Sequence, residues 1–179
     1  MSNDRVAGAD RFGTAAAACT EAYEDGTGTV IIATARNFPD ALAASGLAGA
    51  NDACILLVEV DEVPDATFAA IDDLNATDAI IVGGSAAVGP EVEAALSEVV
   101  TVDRVAGDDR FETAAAIAEA IGADGIDTVE DGPTAILASG RSSADALAAG
   151  PLAAAGNGGG QFPILLTEQN DLPQATIDA

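Results

Sequence analysis

The 179 residues carry 30 acidic and six basic side chains, no histidine and a formal charge of −24, a balance that repels nucleic acid and anionic membranes. Hydrophobic residues make up 49% of the chain, more than a disordered acidic tail holds, and no apolar run reaches the ~18 residues of a membrane span, so a soluble folded protein is expected. The acidic surface fits a salt-adapted organism, where high salt screens self-repulsion.

The N-terminus, Met1 to Arg5, has no apolar run behind a basic start, so no secretion signal is visible. Residues 4 to 8 read as a short strand closed by Gly8, after which Asp10 caps a helix to about Tyr23. Val30 to Thr34 is a continuous apolar run, the mark of a strand buried on both faces. Pro39 and Asp40 suit the first turn of a helix reaching about Ala50. Ile55 to Val58 is the next strand, Pro64 opens a helix to about Leu74, Asp78 to Gly84 is a strand ending in glycines, and Pro90 to Val99 is a further helix. The stretch Gly83-Gly84-Ser85-Ala86-Ala87-Val88-Gly89 lacks the GxGxxG order and the lysine of phosphate-cradling loops and reads as a tight turn.

At Arg104 the chain starts again. Arg5-Val6-Ala7-Gly8-Ala9-Asp10-Arg11-Phe12-Gly13-Thr14 returns 99 residues later as Arg104-Val105-Ala106-Gly107-Asp108-Asp109-Arg110-Phe111-Glu112-Thr113. A spacing of that length matches a small α/β unit folding around its own core. Asp109 with Glu112 has the form of a capping box. The strand Ala135 to Ser139 and the helix after Arg141 repeat at an offset of 105, placing an insertion in the acidic loop Gly125 to Gly132; Ile164 to Thr167 repeats at 109, placing another in the flexible loop Gly156 to Gly160. Two related modules are expected, 1–103 and 104–179, the second truncated before its last strand and helix. The fold class is α/β, alternating strand-helix repeats forming mostly parallel sheets.

The chain has no lysine, and its arginines fall at matched positions of the repeat: Arg5 with Arg104, Arg11 with Arg110, Arg36 with Arg141. In an open α/β sheet ligands bind beyond the carboxyl ends of the strands. Arg11, Arg36, Arg110 and Arg141 follow strands and are expected on that rim as ligand-binding candidates, with Asp40 and Asp145 as their carboxylate partners. Arg5 and Arg104 precede a strand and are expected at the opposite edge, in structural ion pairs together with Asp10 and Asp109. Cys19 and Cys54 have no counterparts in the second copy, where Ala118 and Pro163 stand. They read as small buried residues, a bridge between them being the alternative. With no Cys/His metal set, no P-loop and no GxSxG elbow, neither catalytic residues, metal nor cofactor are expected.

The constellation R-V-A-G-x-D-R-F-x-T-A-A, a strand running into Asn37-Phe38-Pro39-Asp40-Ala41-Leu42-Ala43-Ala44, then Ile55-Leu56-Leu57, then Ile81-Val82-Gly83-Gly84, resembles the cell wall binding repeat 2 (CWB2) family. The resemblance implies Rossmann-like or Toprim-like modules that attach surface proteins non-covalently to anionic wall polymers, with three modules packing as a triangular pseudo-trimer. It also implies ligand contact by Ile55, Leu56, Leu57 and by their counterparts Ile164, Leu165 and Leu166, although a buried strand explains these residues equally well. The function that follows is a non-catalytic surface-anchoring module binding a cell-surface glycopolymer, at the cell surface or outside it, with a cytoplasmic location left open. The alternatives are a self-assembly module pairing with further copies of the repeat and, on fold analogy alone, a small-molecule enzyme.

Overall fold

The computed structural model describes residues 5–129, 132–158 and 160–179. Val30, Ile31, Ile32 and Ala33 of β1 (Thr29–Thr34) are all fully buried, and a strand without a polar face is stable only inside a sheet covered on both sides. β1 has that position. It pairs in parallel with β2 (Cys54–Val58) on one edge and β3 (Asp78–Val82) on the other, and β3 pairs in parallel with β4 (Thr101–Val105), giving the order β2-β1-β3-β4.

Side chains alternate across this sheet. Val30 and Ile32 face a core built with α1 (Arg11–Ala22), α4 (Asp65–Asp73) and α5 (Pro90–Leu96). Ile31 and Ala33 face a second core that holds α2 (Pro39–Ala43), α3 (Ser45–Ala50) and α6 (Arg110–Ile121). The single helix expected from Pro39 to Ala50 is thus two short ones meeting at Ala44. The abundance of small residues in α3 has a packing reason: a Cβ on Gly49 would stand 2.2 Å from the carbonyl oxygen of Ala154 in α7 (Ser143–Ala155), so the two helices touch backbone to backbone.

In the second copy β7 (Ile136–Ser139) pairs in parallel with β8 (Ile164–Thr167), and α8 (Gln174–Asp178) follows. The expectation of a separate core for each copy is corrected here. Phe111, Ala114, Ile117 and Ile121 of α6 join Ile31, Leu47 and Val82 of the first copy to Ala138, Ala146, Ile164 and Leu166 of the second in one continuous cluster. The Ala-rich α6 is slim enough to be buried between both.

The strand that opens each repeat behaves differently in the two copies. Residues 5–8 form no strand, and Asp4 lies outside the described residues, whereas Arg104 and Val105 of the matching stretch 104–107 end β4, held by β3 through the register Val82 with Val105. An extended segment becomes a strand only where a neighbour offers its edge, and β3 is that neighbour. The repeat boundary at 103/104 therefore falls inside a strand of the first sheet.

The two insertions of the second copy meet each other. After a 3₁₀ turn at Ala123–Gly125, Asp127 N–H donates to the Gln161 carbonyl (2.9 Å), Gln161 N–H to that of Gly125 (2.8 Å), and the buried Asp127 carboxylate accepts from Asn157 N–H. A short hairpin of β5 (Thr128–Val129) and β6 (Gly132–Pro133) closes the acidic segment. The two loops are thus pinned together where the residues are described; Glu130, Asp131 and Gly159 are not among them.

Cys19 and Cys54 form a disulfide, with Cα atoms 5.6 Å apart, tying α1 to the first residue of β2. This corrects the expectation of two unlinked thiols: α1 packs along β2, which brings two residues 35 apart in sequence to bonding distance.

Candidate functional site

The repeated motif is first of all a way to start a helix beside a strand end. A Cβ on Gly107 would lie 2.3 Å from Glu112 Cβ and 2.5 Å from its carbonyl carbon, and Gly8 stands equally close to Gly13. The turn is that tight because Thr113 Oγ1 accepts from Gly107 N–H and Thr14 Oγ1 from Gly8 N–H, both at 3.1 Å. Asp10 accepts from Gly13 N–H (2.8 Å), and Asp109 from Phe111 N–H (2.8 Å) and Glu112 N–H (2.9 Å), satisfying free donors at the starts of α1 and α6. Asp10 and Asp109 are therefore the helix caps their positions predict, while the ion pairs also expected of them are not among the described pairs. Glu112 reaches Asp108 N–H (2.8 Å), one residue short of a reciprocal capping box.

The arginine of the motif spans to the next strand. Arg11 Nη1 donates to the Ala35 carbonyl (2.7 Å) and Arg110 Nη1 to that of Gly140 (2.6 Å), equivalent atoms just beyond β1 and β7. Arg36 and Arg141, one residue further on, each hold a glutamate in a two-pronged pair: Arg36 with Glu59, Arg141 with Glu168. The partners are thus Glu59 and Glu168, which close β2 and β8, and not Asp40 and Asp145. Their shared offset of 109, the same as that of the Ile-Leu-Leu strands, was a signal open to sequence reading. The Arg141 guanidinium holds the Glu168 carboxyl below the usual range, chiefly through their hydrogen bond.

Arg104 sits on the same rim as these residues. It is the penultimate residue of β4, donates to the Gly83 carbonyl (2.7 Å) and pairs with Glu93 of α5 (2.7 Å). Placing it at the opposite edge assumed a strand starting after it, whereas the strand ends one residue beyond it. Arg5 is exposed ahead of α1.

Beyond the carboxyl ends of β1, β3 and β4 lies a cleft of about 580 Å³. It stands where the strand order reverses, since β1 is followed outward by β2 on one side while β3 and β4 lie on the other. Arg36, Asn37 and Asp40 from the first copy face Asp108, Asp109 and Arg110 from the second across it, with Gly84 and Gly107 among the residues between. Asp40 is half-buried, and burial raises its carboxyl above the ordinary value while the Arg110 charge opposes the shift. A Cβ on Gly83, whose φ is +105°, would come within 2.6 Å of Asp40 Oδ2, so a glycine leaves the carboxylate its space.

Of the other candidate residues, Arg11 lines a shallower hollow of about 410 Å³ with Arg36, Phe38 and Leu57. Asp145 is exposed in the first turn of α7, and Arg141 pairs beyond the ends of β7 and β8. Leu56, Ile164 and Leu166 are fully buried and Leu165 nearly so, while Ile55 and Leu57 are half-buried. Ligand contact by Leu56, Ile164, Leu165 and Leu166 is corrected on that ground: their side chains fill the sheet's core.

The family model of cell wall binding domain 2 (CWB2) matches residues 5–93 and again 104–179, nearly the whole chain. This chain belongs to that family. Its CWB2 repeats are 31% identical over 173 residues to N-acetylmuramoyl-L-alanine amidase LytC of Bacillus subtilis, covering 96% of this chain and 32% of the relative. Identity with the amidase enhancer of the same organism is 34% over 170 residues, covering 95% and 22%. Among solved structures, Cwp6 from Clostridium difficile superposes with a TM-score of 0.81 at 30% identity over 97% of this chain and 26% of its own, and Cwp8 with 0.78 at 31% over 97% and 28%. The chain spans about a third or less of each. What matches both copies is a cell-wall-binding domain, and no helix among the described residues is long and apolar enough to cross a membrane.

Proposed function

We propose that this CWB2 chain is a non-catalytic anchoring module that holds a cell-surface glycopolymer in the cleft beyond β1, β3 and β4. The observation that carries the reading is the composition of that cleft. It brings Arg36, Asn37 and Asp40 of one copy against Asp108, Asp109 and Arg110 of the next, so the ligand contacts the seam between repeats. A disulfide between Cys19 and Cys54 agrees with work outside a reducing cytoplasm. Retention on purified envelopes of the source organism in molar salt tests the reading. Arg110→Gln should lower retention about tenfold, as loss of a charged hydrogen-bond donor does, while Arg141→Gln, away from the cleft, should not. Equal retention of both folded variants would refute the cleft as the binding site.

A second role, assembly with further copies of the repeat, is favoured by one contrast. Leu137 of β7 is 56% exposed where its counterpart Ile32 is fully buried, and β7 pairs only with β8 among the described strands. Sedimentation in molar salt should then show self-association, which a charged residue at Leu137 abolishes. A strict monomer at all concentrations would rule it out.

A further inference from the structure

Asn75 alone among the asparagines of the chain has a serine or threonine two residues on, in Asn75-Ala76-Thr77. N-linked glycosylation reads that triplet where it lies on an accessible loop of an exported protein. Here it forms the connection between α4 and β3, with Asn75 and Thr77 both exposed. Asn75 turns the chain after α4: its φ is +54°, and Ala76 N–H donates back to the Ile71 carbonyl (3.1 Å). Such a turn asks for a residue that tolerates left-handed backbone, which glycine does better than asparagine, and it sets no requirement at position 77. Asn75 Nδ2 is held only by a long hydrogen bond to the Asp73 carbonyl (3.4 Å).

Beside this nitrogen lies a hollow of about 530 Å³ with Phe68, Ile71, Ala76 and Val99 in its wall. Val99 is 57% exposed and Phe68 half-buried, so the acceptor stands at the rim of an apolar shelf. The CH face of a sugar ring attached there would take that shelf out of water while its hydroxyls stay wet. The triplet precedes β3 and the cleft lies beyond the other end of that five-residue strand, about 16 Å away. A glycan at Asn75 therefore leaves the cleft open. The disulfide and the CWB2 repeats both agree with a place outside the cytoplasm.

We propose that Asn75 is an N-glycosylation site whose first sugar lies over Phe68 and Val99. The co-reactant is a lipid-linked oligosaccharide, brought by a membrane transferase. Asn75 Nδ2 forms a C–N bond to the anomeric carbon, the C–O bond to the lipid phosphate breaks with its electron pair leaving on the phosphate, and Nδ2 gives one proton to a base of the transferase. Of the anchoring role, the site needs only the location outside the cytoplasm.

Protein isolated from envelopes of the source organism and read by mass spectrometry should show the peptide holding Asn75 heavier by one or more sugar residues. Asn75→Gly, which keeps the turn, and Thr77→Val should each lose that addition in the same organism, while Thr77→Ser should keep it. A bare Asn75 in the parent protein, or a sugar that persists in Asn75→Gly, overturns the site. The parent should melt about 2 to 4 °C above the same chain made in a host without the transferase; equal melting overturns the seating on Phe68 and Val99. Asn75→Gly should be retained on envelopes as the parent is, and a loss confined to it would overturn the separation of glycan from cleft. Absence of retention in both, with Asn75 modified, overturns the anchoring role and leaves the glycosylation site standing.

Discussion

Asp40 is held in the folded chain at a cost. Burial disfavours its ionised form more than the Arg110 charge favours it, so its carboxyl binds a proton more tightly folded than unfolded. Below the unfolded carboxylate range both states carry that proton and the residue is neutral towards stability. As pH rises through the raised folded value, the unfolded chain has already released its proton, so stability is lost. Asp40→Asn should therefore raise the melting temperature at neutral pH, with the difference closing as pH falls towards that of free aspartate; a difference independent of pH would show that the carboxylate is not strained. A residue that lowers stability while lining a cleft is what a binding group looks like. Sequence reading named Asp40 as a carboxylate partner of the rim arginines, and of these it is Arg110 whose charge acts on it. Alternation of apolar residues and the repeat place backbones well, while the choice between Asp40 and Glu59 for Arg36 depends on how far β2 runs beside β1, which no local pattern encodes.

At the scale of elements, α1 and α6 derive from one sequence and are secured by different means. α6 buries Phe111, Ala114, Ile117 and Ile121, whereas Cys19 is the buried residue of α1. With little apolar area to hold it, α1 is fastened by the disulfide to β2, and the second copy has no such bond because packing suffices. Closing a loop between residues 35 apart lowers the entropy of the unfolded chain enough to contribute about 3 to 4 kcal/mol. Replacing Cys19 and Cys54 together by Ala should lower the denaturant midpoint accordingly, with hydrogen exchange quickening first in α1. Uniform exchange in both helices would contradict this. The alternation of strands and helices was legible from periodicity alone. The bond was not, because the absence of counterparts at Ala118 and Pro163 argued for two independent small residues, and only the lie of α1 along β2 brings them together.

For the molecule as a whole, thirty carboxylates and six guanidiniums leave a surface that repels itself. The described ion pairs involve Arg36, Arg104 and Arg141, so most acidic side chains have no cation near them. Stability is expected to climb with salt as the screening length shrinks from ~10 Å in tenth-molar salt to ~3 Å in molar salt. Scanning calorimetry over a potassium chloride series should show the melting temperature rising on the order of 10 °C, equivalent to a few kcal/mol for a domain of this size. A flat response would remove salt adaptation from the account. The shared core was hidden from the sequence for a related reason: two copies of one pattern look self-sufficient, and nothing in an Ala-rich helix announces that both of its sides are used.

Because β4 straddles the repeat boundary, starting before it at Thr101 and ending beyond it at Val105, yet pairs wholly with the first sheet, duplication and folding are out of phase by part of a strand. A ribosome that has delivered the first 100 residues has released a sheet with one edge still bare, and its completion waits for the opening of the next copy. Gene fusions joined at the Arg-Val-Ala-Gly motif would cut through this splice. Joints made a few codons upstream, ahead of Thr101, would let the incoming copy's own first strand close the sheet.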